Sequence, residues 1–450
     1  MQPSAEAATV APLGRGRLLR VLGVGFGLAV IIGNTIGAGI LSTPGTIARQ
    51  LPDPWLFIGV WVGGGLYSLL GAVSIAELGT MIPRSGGQYV YAHEALGDYA
   101  GFIVGWSDWI STCGSTAFIS LVISSYAAVL YPSLGGRTSV VALIIVVTFG
   151  LIQWRGIRWG SGVQNATSLF KALAYLSLVI ACFVMGGAGN VAQSTPLQAP
   201  SGAKLFVAVI LSLQGVLYTY DGWTGVIYFS EEVKNPARDI PRAMLGGVLA
   251  VIGIYLLVNL AILYVLPISD IAGSDLALGK AAEAIFGPNG DRIFRSLMIL
   301  AMLSAVNACQ LMATRVLFAM SRDGLFSTRG AETNNGGTPT IALFFSTVVS
   351  VLFIVTGTVD QVLAVVAFFF VVNYTISFAV VFIFRRRESD RDRPYRAWGY
   401  PWTTGFSLVG SLAFLGGAVA SDTRNSLYAL LLLTASYPAF RLSRRLAKAR

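Results

Sequence analysis

The chain is poor in the side chains that do chemistry. It has one histidine and three cysteines in 450 residues, and only 12% of its residues are charged. No His-Glu pair, Walker lysine motif or Gly-x-Ser-x-Gly elbow lies near His93, so zinc hydrolysis, nucleotide hydrolysis and serine catalysis lack their reacting groups. No enzyme activity is expected and no cofactor is implied. His93 reads as a solvated residue of a cytoplasmic loop. Cys113, Cys182 and Cys309 all fall in apolar runs, where a free thiol behaves as a small apolar residue. No disulfide framework or metal site follows. The first twenty residues end in Arg15, Arg17 and Arg20 but lack a short apolar core with a small-residue cleavage site, so the first apolar run reads as an uncleaved anchor.

What the chain has is apolar length. Hydrophobic residues make up 55% of it and the mean hydropathy is +0.70, whereas soluble domains carry about 25% charged residues. Twelve runs, near 23–48, 55–81, 100–131, 138–154, 163–187, 205–231, 243–267, 292–320, 339–357, 361–384, 403–420 and 425–441, approach the ~20 residues that a helix needs to cross the hydrocarbon. An all-α polytopic membrane protein is expected. With the N-terminus inside, 23 of the 31 Lys and Arg fall in cytoplasmic segments and 7 outside, leaving Lys171 within a span. By the positive-inside rule both termini are then cytoplasmic. The Arg385-Arg386-Arg387 run, with Arg391, Arg393 and Arg396, and the basic tail from Arg441 to Arg450 serve orientation, so the net charge of +10 does not indicate nucleic acid.

Glycine separates two of these runs from the rest. In the second, Gly59, Gly63, Gly64, Gly65 and Gly71 form ridges of small residues that let helices approach closely. In the first and sixth, glycines have polar companions at mid-membrane depth: Gly33-Asn34-Thr35-Ile36-Gly37-Ala38-Gly39 and Tyr218-Thr219-Tyr220-Asp221-Gly222-Trp223-Thr224-Gly225. Both read as broken helices. Non-helical backbone at that depth is tolerated only where it is buried in protein or lines a cavity, and paired breaks at matching positions point to the central site of a secondary transporter.

Four motifs resemble one family in its own order. Gly37-Ala38-Gly39-Ile40 is similar to the first-helix core of the amino acid/polyamine/organocation superfamily. The Glu77-Leu78-Gly79…Pro83…Gly86-Gly87…Tyr91 loop, Glu231-Glu232-Val233-Lys234-Asn235-Pro236 and Arg315…Ser321-Arg322-Asp323-Gly324 resemble its later signatures. The resemblance covers about 22–440. It implies a 5+5 inverted repeat, with repeat one about 22–187, repeat two about 205–385 and two extra helices about 403–441. These sit in a transporter domain of 22–441, flanked by cytoplasmic tails at 1–21 and 442–450.

Physics and resemblance place a substrate at the same point. A broken helix frees N–H groups at the start of its second half and carbonyls at the end of its first half, which suits an amino acid zwitterion. The carboxylate is expected at the backbone of Gly37, Ala38 and Gly39, and the ammonium at carbonyls near Ile36 and Tyr218 to Asp221. The resemblance implies that Tyr218 folds over the substrate. Tyr220, Gly222 and Trp223 join it as candidate lining, giving a pocket for medium to large apolar side chains. Thr112 and Thr116, spaced i, i+4, share a face that resembles the family's substrate-facing one; the alternative is that they bond their own helix. Asp221 has three readings: contact with a substrate cation, a coupling proton, or a cap on the second half of the sixth helix. Lys171 resembles the fifth-helix lysine that replaces a sodium ion in sodium-independent members; otherwise it snorkels to the interface. Glu77 is expected to pair locally, and Asp108 has no assignment.

The resulting expectation is a secondary active amino acid transporter of the cell membrane, working by alternating access. It would be sodium-independent, as an exchanger or a proton-coupled symporter, with a small-molecule substrate, the bilayer and protons as partners. A polyamine or organic-cation carrier is the alternative, and a transporter-like nutrient sensor a second.

Overall fold

The computed structural model describes residues 18–187, 198–356, 359–421 and 423–448. The expected N-terminal tail up to residue 17 and the last two residues therefore lie outside the described residues. The described chain is helical throughout, with no strands beyond two isolated bridges. In order it forms α1 (Val24–Thr35), α2 (Gly39–Gln50), α3 (Pro54–Met81), α4 (Gln88–Leu96), α5 (Asp98–Leu130), α6 (Thr138–Trp154), α7 (Ile157–Met185), α8 (Ala203–Thr219), α9 (Pro236–Val265), α10 (Ile268–Ile271), α11 (Ala277–Phe286), α12 (Gly290–Arg322), α13 (Thr340–Thr356), α14 (Val359–Arg387), α15 (Trp402–Ser421) and α16 (Thr423–Lys448).

Every expected span contains a helix. Seven helices are long and apolar enough to cross a membrane, and α1 with α2, bent by 48° at their junction, makes an eighth. α6, α8 and α13 are equally apolar but have 17 residues each, about 25 Å of helix against a hydrocarbon core of ~30 Å. The protein is a polytopic all-α membrane protein. α5 and α12 pack against each other most extensively, with α1 against α9, α7 and α12, α3 against α9 and α8, and α14 against α5 and α15. Three of the five α3 glycines act as expected: a Cβ on Gly64 would overlap Val216, one on Gly65 would lie 2.8 Å from Ile252, and one on Gly71 would lie 2.9 Å from Trp223, whereas one on Gly63 would make only an ordinary contact with Leu213 at 3.5 Å and one on Gly59 would meet nothing within 4 Å.

One end of the bundle is tied by charge. Leu22 and Val233 form a parallel bridge, in which the Leu22 N–H donates to Glu232 O at 2.9 Å and the Lys234 N–H to Leu22 O at 2.8 Å. Arg315 and Glu232, both with fully buried side chains, pair through two hydrogen bonds at 3.1 and 3.2 Å. Arg84 meets Asp323 at 2.6 Å and Arg322 meets Glu231 at 2.7 Å. His93 corrects the reading of a loop residue: it sits on α4, stacked on Tyr89 and within 3.2 Å of Asp98 and 3.7 Å of Asp323. Burial and the Asp323 carboxylate hold the Tyr89 hydroxyl far above its ordinary pKa. The helix α16 continues to Lys448, past residue 442, where a separate tail was expected to begin.

Glu77 does not pair locally. Its buried carboxylate accepts Arg385 Nε at 2.8 Å and the Ala397 N–H at 2.7 Å, and Arg393 Nε lies 3.3 Å away. Those partners come from the far end of α14 and the loop after it, because α3 and α14 cross there; charge that leaves water must find charge wherever the fold brings it. Breaking such a pair costs about 3–5 kcal/mol. Glu77→Ala should therefore lower the melting temperature of the purified protein sharply. Glu77→Gln, which keeps an acceptor oxygen, should lower it less; equal melting of the two variants and wild type would show that the node carries no stability.

Candidate functional site

The two breaks lie side by side. α1 ends at Thr35, Ile36 takes φ −77° and ψ 87°, and α2 begins at Gly39. In the sixth span the α-helix ends at Thr219, followed by turns and a 3-10 helix, Gly225–Phe229, so the expected second half is not α-helical. Gly222 has φ +112°, and a Cβ there would come within 2.7 Å of Asn34 Nδ2 and 3.0 Å of the Thr35 nitrogen. Glycine is required at that point because the two breaks touch.

Freed carbonyls are met from neighbouring helices. The Lys171 ammonium, fully buried on α7, donates to Gly33 O at 2.8 Å and to Ile36 O. It does not snorkel. Tyr255 on α9 places its hydroxyl 2.7 Å from Thr35 O and 3.0 Å from Thr219 O. Farther back, within α1, Ala29 O also accepts from Ser168 and Gln164 at 2.7 and 3.1 Å. The N–H groups of Gly37, Ala38 and Gly39, in contrast, meet no acceptor among the described residues.

Those N–H groups border a cavity of about 200 Å³ whose walls include Asn34, Thr35, Gly37, Ala38, Gly39, Ser42, Thr43, Thr112, Tyr218, Asp221, Gly222 and Cys309. Of the residues predicted from sequence, Gly37, Ala38, Gly39, Thr112, Tyr218, Asp221 and Gly222 come together here. The others do not. Ile36 is buried behind the wall, with its carbonyl engaged by Lys171. Tyr220 points away from the cavity, its ring against Trp61 and Tyr255 and its hydroxyl donating to Trp61 O at 3.3 Å. Trp223 stacks on Tyr374 at 5.0 Å and lines a separate cavity of about 30 Å³. Thr116 bonds back to Thr112 O at 2.9 Å, and Ser115 takes the wall position instead.

The two glycines of the first break differ. A Cβ on Gly37 would meet only Asn34 O, at 3.9 Å, whereas one on Gly39 would meet Thr219 atoms at 3.0–3.1 Å. Gly37 thus keeps the cavity open and Gly39 lets the broken helices pack. Asp221 accepts the Tyr374 hydroxyl and a backbone hydrogen bond from Gly222, and the N-cap of the 3-10 helix itself is Thr224, with no side-chain cap. Sequence reasoning missed Ser42, Thr43, Gln88, Ser115, Tyr228 and Tyr374 as lining. Ser115, one turn from Thr112, was recoverable from helical spacing; Tyr374 carried no local signal.

Comparison with known proteins gives the family. The serine/threonine exchanger SteT of Bacillus subtilis is 30% identical over 433 residues, covering 94% of this chain and 96% of SteT. The b(0,+)-type amino acid transporter 1 of Oryctolagus cuniculus is 27% identical, covering 84% of this chain and 79% of its own. The large neutral amino acids transporter small subunit 2 of Mus musculus is also 27% identical, over 88% and 75%. A sequence profile of the family described as amino acid permease matches residues 27–437. The chain belongs to the amino acid permease family.

Proposed function

We propose that this protein is a sodium-independent amino acid exchanger of the cell membrane, with both termini cytoplasmic, working by alternating access. One observation carries the reading: three adjacent N–H groups without acceptors, at the start of α2, face a cavity closed on its other side by the second break. Donors so placed suit a carboxylate. The ammonium of the same substrate then lies against second-break carbonyls near Tyr218 to Asp221, since Lys171 holds those of Gly33 and Ile36. The Lys171 cation occupies the first-break carbonyls that a metal ion would otherwise use, which supports sodium independence. Exchange is favoured over proton symport by the likeness to SteT.

The side-chain class changes from the one expected. Tyr220 and Trp223 lie outside the cavity, and its wall mixes the hydroxyls of Ser42, Thr43, Thr112 and Ser115 with the apolar side chains of Phe118, Ile119, Met312 and Phe370, which supports a neutral side chain of small to medium size. A second reading, transport of a cationic amino acid or amine, rests on Asp221: its carboxyl lies in the cavity wall with Tyr374 as its side-chain donor. Counterflow in proteoliposomes, with a panel of amino acids and amines and no sodium, tests both. Failure of every α-amino acid to exchange would overturn the proposal.

Three variants sharpen it. Gly37→Val should lower substrate affinity at least about tenfold, by filling the carboxylate's place and removing hydrogen bonds to a charged group, without loss of folded protein. Unchanged affinity would remove the carboxylate assignment. Lys171→Ala should reduce exchange to a small fraction of wild type and create no sodium dependence, because it leaves the carbonyls of Gly33 and Ile36 unpaired without adding ion ligands. Near-normal flux would overturn that role. Asp221→Asn should spare neutral substrates under the first reading and weaken cationic ones about tenfold or more under the second; competition assays with serine and lysine separate them.

A further inference from the structure

Asp108 lies about a third of the way along α5 with 1% of its surface exposed, and no basic side chain among the described residues pairs with it. Its two carboxyl oxygens each lie 2.9 Å from the Tyr228 hydroxyl, with the Thr112 hydroxyl farther off at 3.5 Å. A phenol has one proton, so a single donor serves both oxygens. Tyr228 belongs to the 3-10 helix after the second break and, like Thr112, lines the cavity.

The phenol is held in that place from beneath. Gly86 donates its N–H to Tyr228 O at 3.2 Å. A Cβ on Gly87, which has φ +68°, would lie 2.5–2.8 Å from ring atoms of Tyr228, so the ring rests on bare backbone. The backbone of residues 225–229 packs mainly on α1, α9 and α12. The Asp108 bond is the polar link from this segment to α5. It lies toward the bundle end where Arg84 meets Asp323 and Arg322 meets Glu231.

We propose that Asp108 is a positioning residue that latches the Tyr228 phenol across the floor of the cavity, closing the site toward the face of the Arg84–Asp323 pair. The latch opens when the site faces that side and closes when it faces the other. This rests on the alternating-access reading above. The phenol belongs to the broken sixth span and the carboxyl to an unbroken helix, so relative motion of the two must part them.

A native thiol reads the state of the floor. Cys309 lines the cavity, whereas Cys113 and Cys182 are fully buried. The experiment measures Cys309 modification by a membrane-impermeant maleimide applied to right-side-out or inside-out vesicles, with Cys309→Ser as background. Tyr228→Phe keeps the ring and removes the donor. It should speed labelling from the Arg84–Asp323 face about tenfold, the population change expected when a hydrogen bond to a carboxyl group is lost, and slow labelling from the opposite face. Asp108→Asn, which keeps an acceptor, should shift labelling the same way by less, and it carries the test if Tyr228→Phe fails to fold. An unchanged rate from the Arg84–Asp323 face, or an equal rise from both faces, overturns the latch. A wild-type protein whose Cys309 is reached from one face only, with or without substrate, overturns alternating access and the latch with it.

Discussion

A helix broken inside a membrane leaves carbonyls that water cannot reach, and the fold depends on how these are met. At the first break the answer is one ammonium, that of Lys171 on the carbonyls of Gly33 and Ile36. Each side needs the other. An ammonium in a fully buried position requires acceptors at every turn of its three N–H bonds, and the carbonyls require a donor in a place that excludes solvent. The result is a break that costs little within the assembled protein and could not survive on an isolated helix.

The two ends of the bundle are built differently. At one end, side chains of opposite charge cross between segments distant in sequence: Glu77 with Arg385 and Arg393, Glu232 with Arg315, Arg84 with Asp323. At the other, the short helices α10 and α11 meet α2 by close backbone approach, where the Gly273 N–H donates to Gly45 O at 2.8 Å and a Cβ on Gly45 would overlap Ser274.

Much of this was legible in the sequence because its signals are local. Apolar runs of membrane length marked the helices, and glycines with polar neighbours marked both breaks. Lys171 stood out as a charge within an apolar helix, where few residues could be its partner. What escaped was decided by distance or by phase. The partner of Glu77 is 308 residues away, and no spacing rule reaches that far. Tyr218 and Tyr220 are two residues apart, about 200° around a helix, so they face different ways and only one of them reaches the cavity. Thr116 lost its place to Ser115 through the same sensitivity to phase, here on a regular helix. Asp108 was visible as an anomaly, but its partner Tyr228 lies beyond the second break and only folding brings the two together.

Tyr255 gives the site a property that neither break has alone. Its hydroxyl stands within bonding distance of a carbonyl from each broken span, Thr35 O and Thr219 O, and it has one proton to give. At any instant one of the two carbonyls is short of a donor. Any donor that settles on one of them releases the phenol's proton to the other, so the two carbonyls answer as a pair to whatever enters between them. A molecule bound between the breaks would then act on both broken helices through α9, the helix that carries the shared donor.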